Sequence, residues 1–172
     1  NYPIRGAVTW KSTVGTNVAS DALANLASAG VKGGSVIIVG EDYGEGASIM
    51  QERSHAFAMK SQVWLLDPRP NLPKIVETVE KAFELSEASS TPVMVELRIR
   101  ACHVTGEFVA KDNMAPTLSR NNPIAEPNFD FGNIVLPPST YAQEKKKVDV
   151  RMPAAIEFVK EQGLNEVFDG NL

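Results

Sequence analysis

The residues best suited to chemistry lie in a short acidic, glycine-rich stretch at positions 40–46, Gly-Glu-Asp-Tyr-Gly-Glu-Gly. The carboxylates of Glu41, Asp42 and Glu45 are hard oxygen ligands of the kind that Mg²⁺ prefers. The alternative is a solvated turn whose glycines permit positive φ angles. The stretch is not a phosphate cradle, because it has no GxGxxG or Walker pattern and its negative charge repels phosphate.

A second candidate is an anion site around Lys11. This residue precedes Ser12, Thr13 and Asn17, near which we expect a helix to begin. Backbone N–H groups at a helix N-terminus and a lysine ammonium group together attract an anion. The alternative is an exposed lysine beside an ordinary helix cap.

The histidines and the single cysteine offer weaker signals. Cys102 and His103 are neighbours at the end of a predicted strand, where successive side chains point to opposite faces. We therefore interpret them as structural or substrate-shaping rather than as a nucleophilic pair.

His55 is predicted to lie in a helix, with partners that the sequence leaves open. Arg98 and Arg100 are predicted to share a strand face and to form salt bridges.

Alternating strands and helices over the first 110 residues must position these groups. Strands are predicted at 6–10, 35–39, 63–66 and 93–99, and helices at 17–29, 48–60 and 72–88. The second helix is predicted to begin with a capping box from Ser48 to Gln51, and the third with an Asn71 cap. This alternation predicts an α/β fold with a mostly parallel sheet flanked by helices. Ligands of such sheets lie beyond the carboxyl ends of the strands.

Two further expectations concern packing and the second half of the chain. The apolar stripe of the first helix is expected to comprise Val18, Ala22, Leu23, Leu26 and Ala27. Residues 111–140, rich in Asn and Pro, are expected to form an extended linker. An irregular C-terminal extension should follow, with a helical stretch over 139–163 that breaks at Pro153.

The composition excludes several classes of function. Seventeen Lys+Arg against 21 Asp+Glu give a net charge of −4, which argues against non-specific nucleic-acid binding. The longest apolar run, residues 36–39, is too short to span a bilayer and no signal peptide is visible, so we expect a cytoplasmic protein without a membrane partner. One cysteine excludes a disulfide framework and a four-cysteine iron–sulfur site within this chain. Because the chain begins with Asn1 rather than Met, we expect a piece of a longer protein.

Several segments, taken in their order and spacing, resemble the alpha subunit of indolepyruvate ferredoxin oxidoreductase, a thiamine-diphosphate-dependent 2-oxoacid oxidoreductase. The segments that carry the resemblance are 17–23, 33–39, 82–87, 91–94 and 97–103. Residues 136–141 and 164–166 resemble the segment that follows this domain in long forms of the enzyme. The resemblance implies a partial thiamine-diphosphate-binding fold. Residues 1–110 would be the C-terminal part of its pyrimidine-binding domain, 111–140 a linker and 141–172 a helical extension.

The resemblance also implies an activity. The family oxidatively decarboxylates aryl pyruvates to acyl-CoA and passes electrons through [4Fe-4S] clusters to ferredoxin. Its catalytic glutamate lies upstream of Asn1, and its diphosphate–Mg²⁺ motif, a GDG followed by asparagines, belongs to another domain. Neither that motif nor the cluster cysteines occur here. The fragment should therefore be inactive alone, with the remaining domains or subunit of the parent enzyme as partners.

One departure from the family pattern affects the candidate site. Several related enzymes carry a substrate-binding arginine directly after the strand matching residues 36–39, where this chain reads Glu-Asp-Tyr. We expect Lys11 or Arg53 to take over carboxylate recognition, and residues 44–52 to face the diphosphate domain. The residues expected near substrate or cofactor are Lys11, Gly15, Asn17, Glu41, Asp42, Tyr43, Gly44, Ser48, Gln51, Glu52 and Arg53.

Alternative interpretations remain open at this point. The parent could be a thiamine enzyme for a different 2-oxoacid, or the chain could be a non-catalytic α/β interaction domain. A flavodoxin-like cofactor binder is a third interpretation. In each case a parallel sheet that lacks its upstream strands exposes an edge, so we expect self-association as a homodimer.

Overall fold

The strands and helices follow one another in the predicted alternation. The computed structural model describes residues 4–42, 44, 51, 53–115 and 130–170. The strands are β1 (Gly6–Lys11), β2 (Ser35–Glu41), β3 (Trp64–Leu66) and β4 (Val93–Arg98). The α-helices are α1 (Ser12–Ala29), α2 (Ser54–Ser61), α3 (Leu72–Ser89), α4 (Ile99–Cys102), α5 (Ser139–Lys146) and α6 (Met152–Glu161). A 3₁₀ turn covers Phe131–Asn133, and a π segment covers Lys147–Arg151.

The four strands form one sheet in the order β1-β2-β4-β3, and every neighbouring pair is parallel. This confirms the predicted α/β class. β4 is an inner strand, but the three residues of β3 pair only with Val93–Val95. The second half of β4 therefore has a strand neighbour on one side only among the described residues.

Two hydrophobic clusters cover the two faces of the sheet. The first joins α1 and α2 to alternate residues of β2 and β4, and includes Leu23, Ala58, Ile37 and Met94. The second joins α3 and α6 to the opposite face, where Ala82, Leu85 and Ala155 pack on Val36, Val93 and Val95. Burial on both faces explains why β2 and the start of β4 are continuously apolar in sequence.

Helix α1 begins at Ser12, five residues before the predicted start, and its buried stripe is only partly the predicted one. Leu23 and Ala27 are buried, whereas Val18 is 88% exposed and Leu26 37% exposed. Ala22 is exposed as well. The stripe that meets the sheet runs instead through Ser12 and Thr16, both buried. Because some residues of the buried stripe are polar, the pattern of apolar residues did not predict which face of this helix packs on the sheet.

The chain does not continue as a strand after Arg98, which corrects the prediction for Cys102 and His103. Residues 99–102 form one helical turn, and the His103 N–H donates to the Ile99 carbonyl at 3.2 Å. Arg100 therefore lies on this turn rather than on the strand face of Arg98. The ladder ends because β2 ends opposite Arg98, at Glu41. The argument from opposite strand faces does not apply here.

The start of α2 also differs from prediction. α2 begins at Ser54, and Gln51 is not helical. The Gln51 side chain accepts a hydrogen bond from the Gly44 N–H at 2.6 Å, and the predicted cap Ser48 lies outside the described residues. By contrast, α3 begins as predicted, and Asn71 Oδ1 accepts from the Lys74 N–H at 3.1 Å.

The C-terminal helical stretch does not break at Pro153. Its irregularity is the π segment directly before, and the flanking residues Lys146 and Met152 keep helical φ/ψ angles. A π turn accommodates the hydrogen bond that a proline cannot donate. α6 then packs on α3 and contributes Ala155 to the core. The described helices include none that is long and apolar enough to cross a membrane.

Candidate functional site

The carboxyl ends of the strands bring charged residues onto one face of the sheet. In the β2–β4 register, Val39 lies opposite Glu96 and Glu41 opposite Arg98. Because side chains alternate along a strand, Glu41, Glu96 and Arg98 share a face. Asp67, directly after β3, receives hydrogen bonds from Arg98 Nε at 3.2 Å and Nη2 at 2.5 Å.

Glu41 holds the start of α2. Its Oε1 accepts a hydrogen bond from the Ser54 N–H at 2.8 Å, whereas the N-cap residue Arg53 provides no side-chain cap. Glu41 is 2% exposed. A carboxylate here satisfies a helix N–H and lies at the positive end of the helix dipole. The second oxygen, Oε2, has no hydrogen-bond partner among the described residues.

Glu96 is the most unusual residue of the site. Its side chain is completely buried, Nδ1 of His55 lies 3.3 Å from Oε2, and Nε of Arg98 lies 3.3 Å from Oε1. Burial, reinforced by the contact with the Glu41 carboxyl and by the charge of Asp67, raises the pKa of Glu96 to about 8, against a smaller lowering by Arg98. Glu96 therefore keeps its proton at neutral pH.

This arrangement can store and transfer a proton. A protonated Glu96 can donate to Glu41, which accounts for carboxyl oxygens that otherwise have no partner. His55 is half exposed and touches Glu96, so it connects the buried pair to solvent. A carboxylic acid that stays protonated near pH 7 is suited to general acid catalysis or to a proton relay.

An open groove of about 510 Å³ lies at the same edge. Its lining residues are Gly44, Pro68, Pro70, Arg98, Ile99, Arg100 and Ala101. The two arginines supply positive charge to the groove, and Arg98 belongs both to the groove and to the buried cluster. An anionic group in this groove would lie within reach of guanidinium donors.

The predicted site residues are only partly brought together. Lys11 lies beside Asp42, with Nζ 3.1 Å from Oδ2. Gly15 packs against Trp10, where a Cβ would come within 2.6 Å of the ring. The side-chain amide of Asn17 donates to the Thr13 carbonyl at 2.7 Å. Gly15 and Asn17 thus make local contacts in the first turns of α1, and Lys11 lies at the edge of the site.

The structure describes only part of the acidic stretch at positions 40–46. Gly44, with φ of 84°, donates to Gln51, and Arg53 Nη1 donates to the Gln51 carbonyl at 3.2 Å. Of the residues singled out from the sequence, Tyr43, Glu45, Ser48 and Glu52 lie outside the described part of the chain. Among the described residues no group of three or more His, Cys, Asp or Glu could hold a metal ion.

Sequence reasoning missed Glu96 and Asp67 as site residues, and it placed His55 in a helix without naming its partners. One signal was available, since Glu96 interrupts an otherwise apolar strand, Val-Met-Val-Glu-Leu. A glutamate is rarely buried unless it is paired, so a glutamate inside such a run is a candidate for a shifted pKa. Its partner Glu41 could not be named without the register.

Comparison with known proteins identifies relatives of one kind. No family model and no solved structure matches the chain. The indolepyruvate oxidoreductase subunit IorA of Methanothermobacter marburgensis is 33% identical over 118 residues, 67% of this chain and 19% of the relative. The subunit IorA of Methanothermobacter thermautotrophicus is 27% identical over 168 residues, 94% of this chain and 25% of the relative. The subunit IorA of Thermococcus kodakarensis is 34% identical over 104 residues.

The chain thus spans about a fifth to a quarter of the length of the curated relatives it matches. The resemblance stated from the sequence segments is confirmed, and the relatives agree on it. By sequence, the chain is similar to one part of the IorA subunits of indolepyruvate oxidoreductases.

Proposed function

We propose that this chain is part of an oxidoreductase that oxidatively decarboxylates aryl pyruvates, indolepyruvate in particular, to acyl-CoA with ferredoxin as the electron acceptor. The observation that carries the proposal is the similarity to IorA over nearly the whole chain, 168 residues in one relative. The grouping of ionisable residues at the carboxyl edge of a parallel sheet supports it, because that edge is where such folds bind ligands.

The described residues do not fit the diphosphate and Mg²⁺ of a thiamine cofactor. The carboxyl edge carries the carboxyl groups of Glu41, Asp42 and Asp67, and Lys11 is paired with Asp42. A diphosphate would be repelled by these carboxylates. We therefore assign the binding of thiamine diphosphate and Mg²⁺, and of the [4Fe-4S] clusters, to other parts of the parent enzyme.

This chain would line one side of the active site and would supply a proton to it. The groove beside Gly44 offers arginine donors to the carboxylate of a 2-oxoacid, and the Glu41–Glu96 pair holds a proton close to it. The partners would be the remaining domains or subunit, CoA and ferredoxin, in the cytoplasm. An enzyme for a different 2-oxoacid would use the same geometry with another side-chain pocket.

The test uses the complete protein that contains this chain, purified with its companion subunit. We expect CoA-dependent reduction of ferredoxin or of methyl viologen with indolepyruvate, and little with pyruvate at the same concentration. Thiamine diphosphate with Mg²⁺ should bind the complete enzyme in a calorimetric titration but not the isolated chain. Activity with pyruvate alone would favour the different 2-oxoacid. Absence of both turnover and cofactor binding would favour the interaction domain.

Three variants of the complete enzyme test which basic residue binds the substrate carboxylate. Lys11→Ala and Arg53→Ala test the residues expected from the sequence, and Arg100→Ala tests the groove. We expect at least one to raise the KM for indolepyruvate about tenfold, the loss of one charge-assisted hydrogen bond. Lys160→Ala, an exposed lysine on α6, serves as the control. Unchanged KM values in all three variants would remove the groove from the substrate site.

A further inference from the structure

A large cavity lies at the outer edge of β3 and adjoins the carboxyl-edge groove, with which it shares Pro68. Its volume is about 830 Å³, in the range of ligand-binding pockets. α2, β3, α3, the π segment and the C-terminal residues 164–168 all contribute to its walls. No described strand pairs with the outer side of β3, so backbone donors and acceptors of this strand face the cavity.

The chain places its own C-terminal residues on this cavity. The Glu166 carboxylate lies 2.9 Å from Arg69 Nε and 3.3 Å from Lys74 Nζ. The Arg69 guanidinium also lies over the Phe168 ring, 5.0 Å from its centroid. Leu164, from the same segment, also lines the cavity. One arginine thus binds an acidic side chain and an aromatic side chain two residues apart.

Residues 164–168, which we call the tail, fill the site incompletely. Phe168 remains 67% exposed and Val167 91% exposed, and the cavity persists beneath them. Surface ion pairs of this kind contribute at most about 1 kcal/mol each. A ligand with the same groups and more buried apolar area could displace the tail.

The charge of the cavity indicates the chemistry of that ligand. Five basic residues line it, Arg69, Lys74, Lys81, Lys147 and Arg151, against four acidic ones, Asp67, Glu77, Glu144 and Glu166. One of the four acids belongs to the tail itself. Once the tail leaves, Arg69 loses its acidic partner Glu166, whereas Lys74, Lys81 and Lys147 keep theirs. Beside Arg69 lies an apolar floor that includes Trp64, Leu66 and Met152. An acidic group beside an aromatic one complements both features.

We propose that this cavity is a docking site for an extended peptide segment of a partner protein, with an acidic residue followed two positions later by an aromatic residue. The tail, Leu-Asn-Glu-Val-Phe, carries the same pattern and occupies the site in cis. The open edge of β3 favours a peptide over a small molecule, because an extended segment can add its backbone hydrogen bonds there.

The test measures binding of a fluorescein-labelled peptide with the sequence of residues 163–170, Gly-Leu-Asn-Glu-Val-Phe-Asp-Gly, by fluorescence anisotropy. The full chain should bind it weakly because its own tail competes. A full chain with Glu166→Gln and Phe168→Ala, two substitutions in the tail, should bind at least tenfold more tightly. Adding Arg69→Ala should abolish that gain, and adding Lys160→Ala should leave it unchanged.

Three results would overturn the proposal. In the first, the tail variant binds the peptide no more tightly than the wild-type chain. In the second, Arg69→Ala has no effect, or a peptide with Gln and Ala in place of Glu and Phe binds equally well. In the third, 3-phenylpropanoate displaces the labelled peptide with an affinity equal to that of unlabelled peptide, which would assign the cavity to small aromatic acids. Circular dichroism of each variant checks that the fold is retained.

Discussion

A single proton on Glu96 decides the electrostatics of the site. Burial and the contact with the Glu41 carboxyl raise the pKa of Glu96, so Glu96 holds a proton near pH 7. The charge of Asp67 acts in the same direction, and His55 and Arg98 each lie 3.3 Å from an oxygen of this buried carboxyl.

This proton makes stability depend on pH in a defined direction. The pKa of Glu96 is raised from 4.5 to about 8 in the folded chain. Between these two pH values the folded state binds a proton that the unfolded state lacks, so the free energy of unfolding decreases by about 1.4 kcal/mol per pH unit as pH rises. Above pH 8 the effect levels off. Urea denaturation between pH 5 and pH 9 measures this slope.

Glu96→Gln isolates the contribution of this residue. Glutamine can still donate to Glu41 but cannot ionise, so the variant should lose most of the slope and should be more stable than wild type at pH 9. Glu157→Gln, on the exposed side of α6, should keep the wild-type slope. Parallel pH profiles for wild type and Glu96→Gln would contradict the buried proton.

Arg151 joins the C-terminal extension to the α/β layer. It is 5% exposed, and its guanidinium donates to the carbonyls of Ala27 at 3.1 Å and Ala29 at 3.2 Å. These carbonyls end α1 and have no partner within that helix. The side chain of Gln143, on α5, accepts a further hydrogen bond from Arg151. Gly30 is required at this contact, because its φ is 75° and a Cβ would lie 2.6 Å from Arg151 Nη2.

Arg151→Lys should therefore destabilise the chain, although it conserves the charge. A lysine cannot donate to several carbonyls in the fork geometry of arginine, and we expect a loss of about 2–3 kcal/mol in the free energy of unfolding. Arg5→Lys, at an exposed ion pair with Glu87, should cost less than about 1 kcal/mol. Equal losses in the two variants would show that Arg151 does not anchor the extension.

The elements that the sequence predicts well are those whose signals are local. Helix α3 has an apolar stripe and an Asn71 cap within one segment, so its start was predicted correctly. The helical turn at 99–102 was not predicted. β4 ends where the neighbouring strand β2 ends, and the end of β2 depends on residues far away in sequence. The Glu41–Glu96 pair was missed for the same reason, since it requires the register of β2 with β4.

At the scale of the whole molecule, the described residues leave the β1 edge of the sheet uncovered. Residues 6–9 of β1 are exposed, and no described strand pairs with the outer side of β1. Beside it, α1 exposes Val14 and Val18 by 54% and 88%. Parallel strands are usually buried on both faces, so this surface is suited to contact with another protein surface.

We expect the chain to self-associate as a dimer through this surface at tens of micromolar. Val14→Glu combined with Val18→Glu should shift the molar mass from dimer to monomer in size-exclusion chromatography with light scattering. Val109→Glu, at a residue that is 98% exposed elsewhere, should leave the dimer intact. A wild-type chain that elutes as a monodisperse monomer would contradict this expectation.

The parallel order β1-β2-β4-β3 also constrains synthesis on the ribosome. β3 pairs only with β4, which is made later, so a nascent chain that ends before Val93 can form the β1–β2 pair but leaves β3 without a strand partner. Pairing of distant strands is slow compared with helix formation. Emergence of β4 therefore supplies the strand partner of both β2 and β3, and it brings Glu96 to Glu41. Until then the apolar residues of β3 depend on helices alone, or on chaperones, for protection from aggregation.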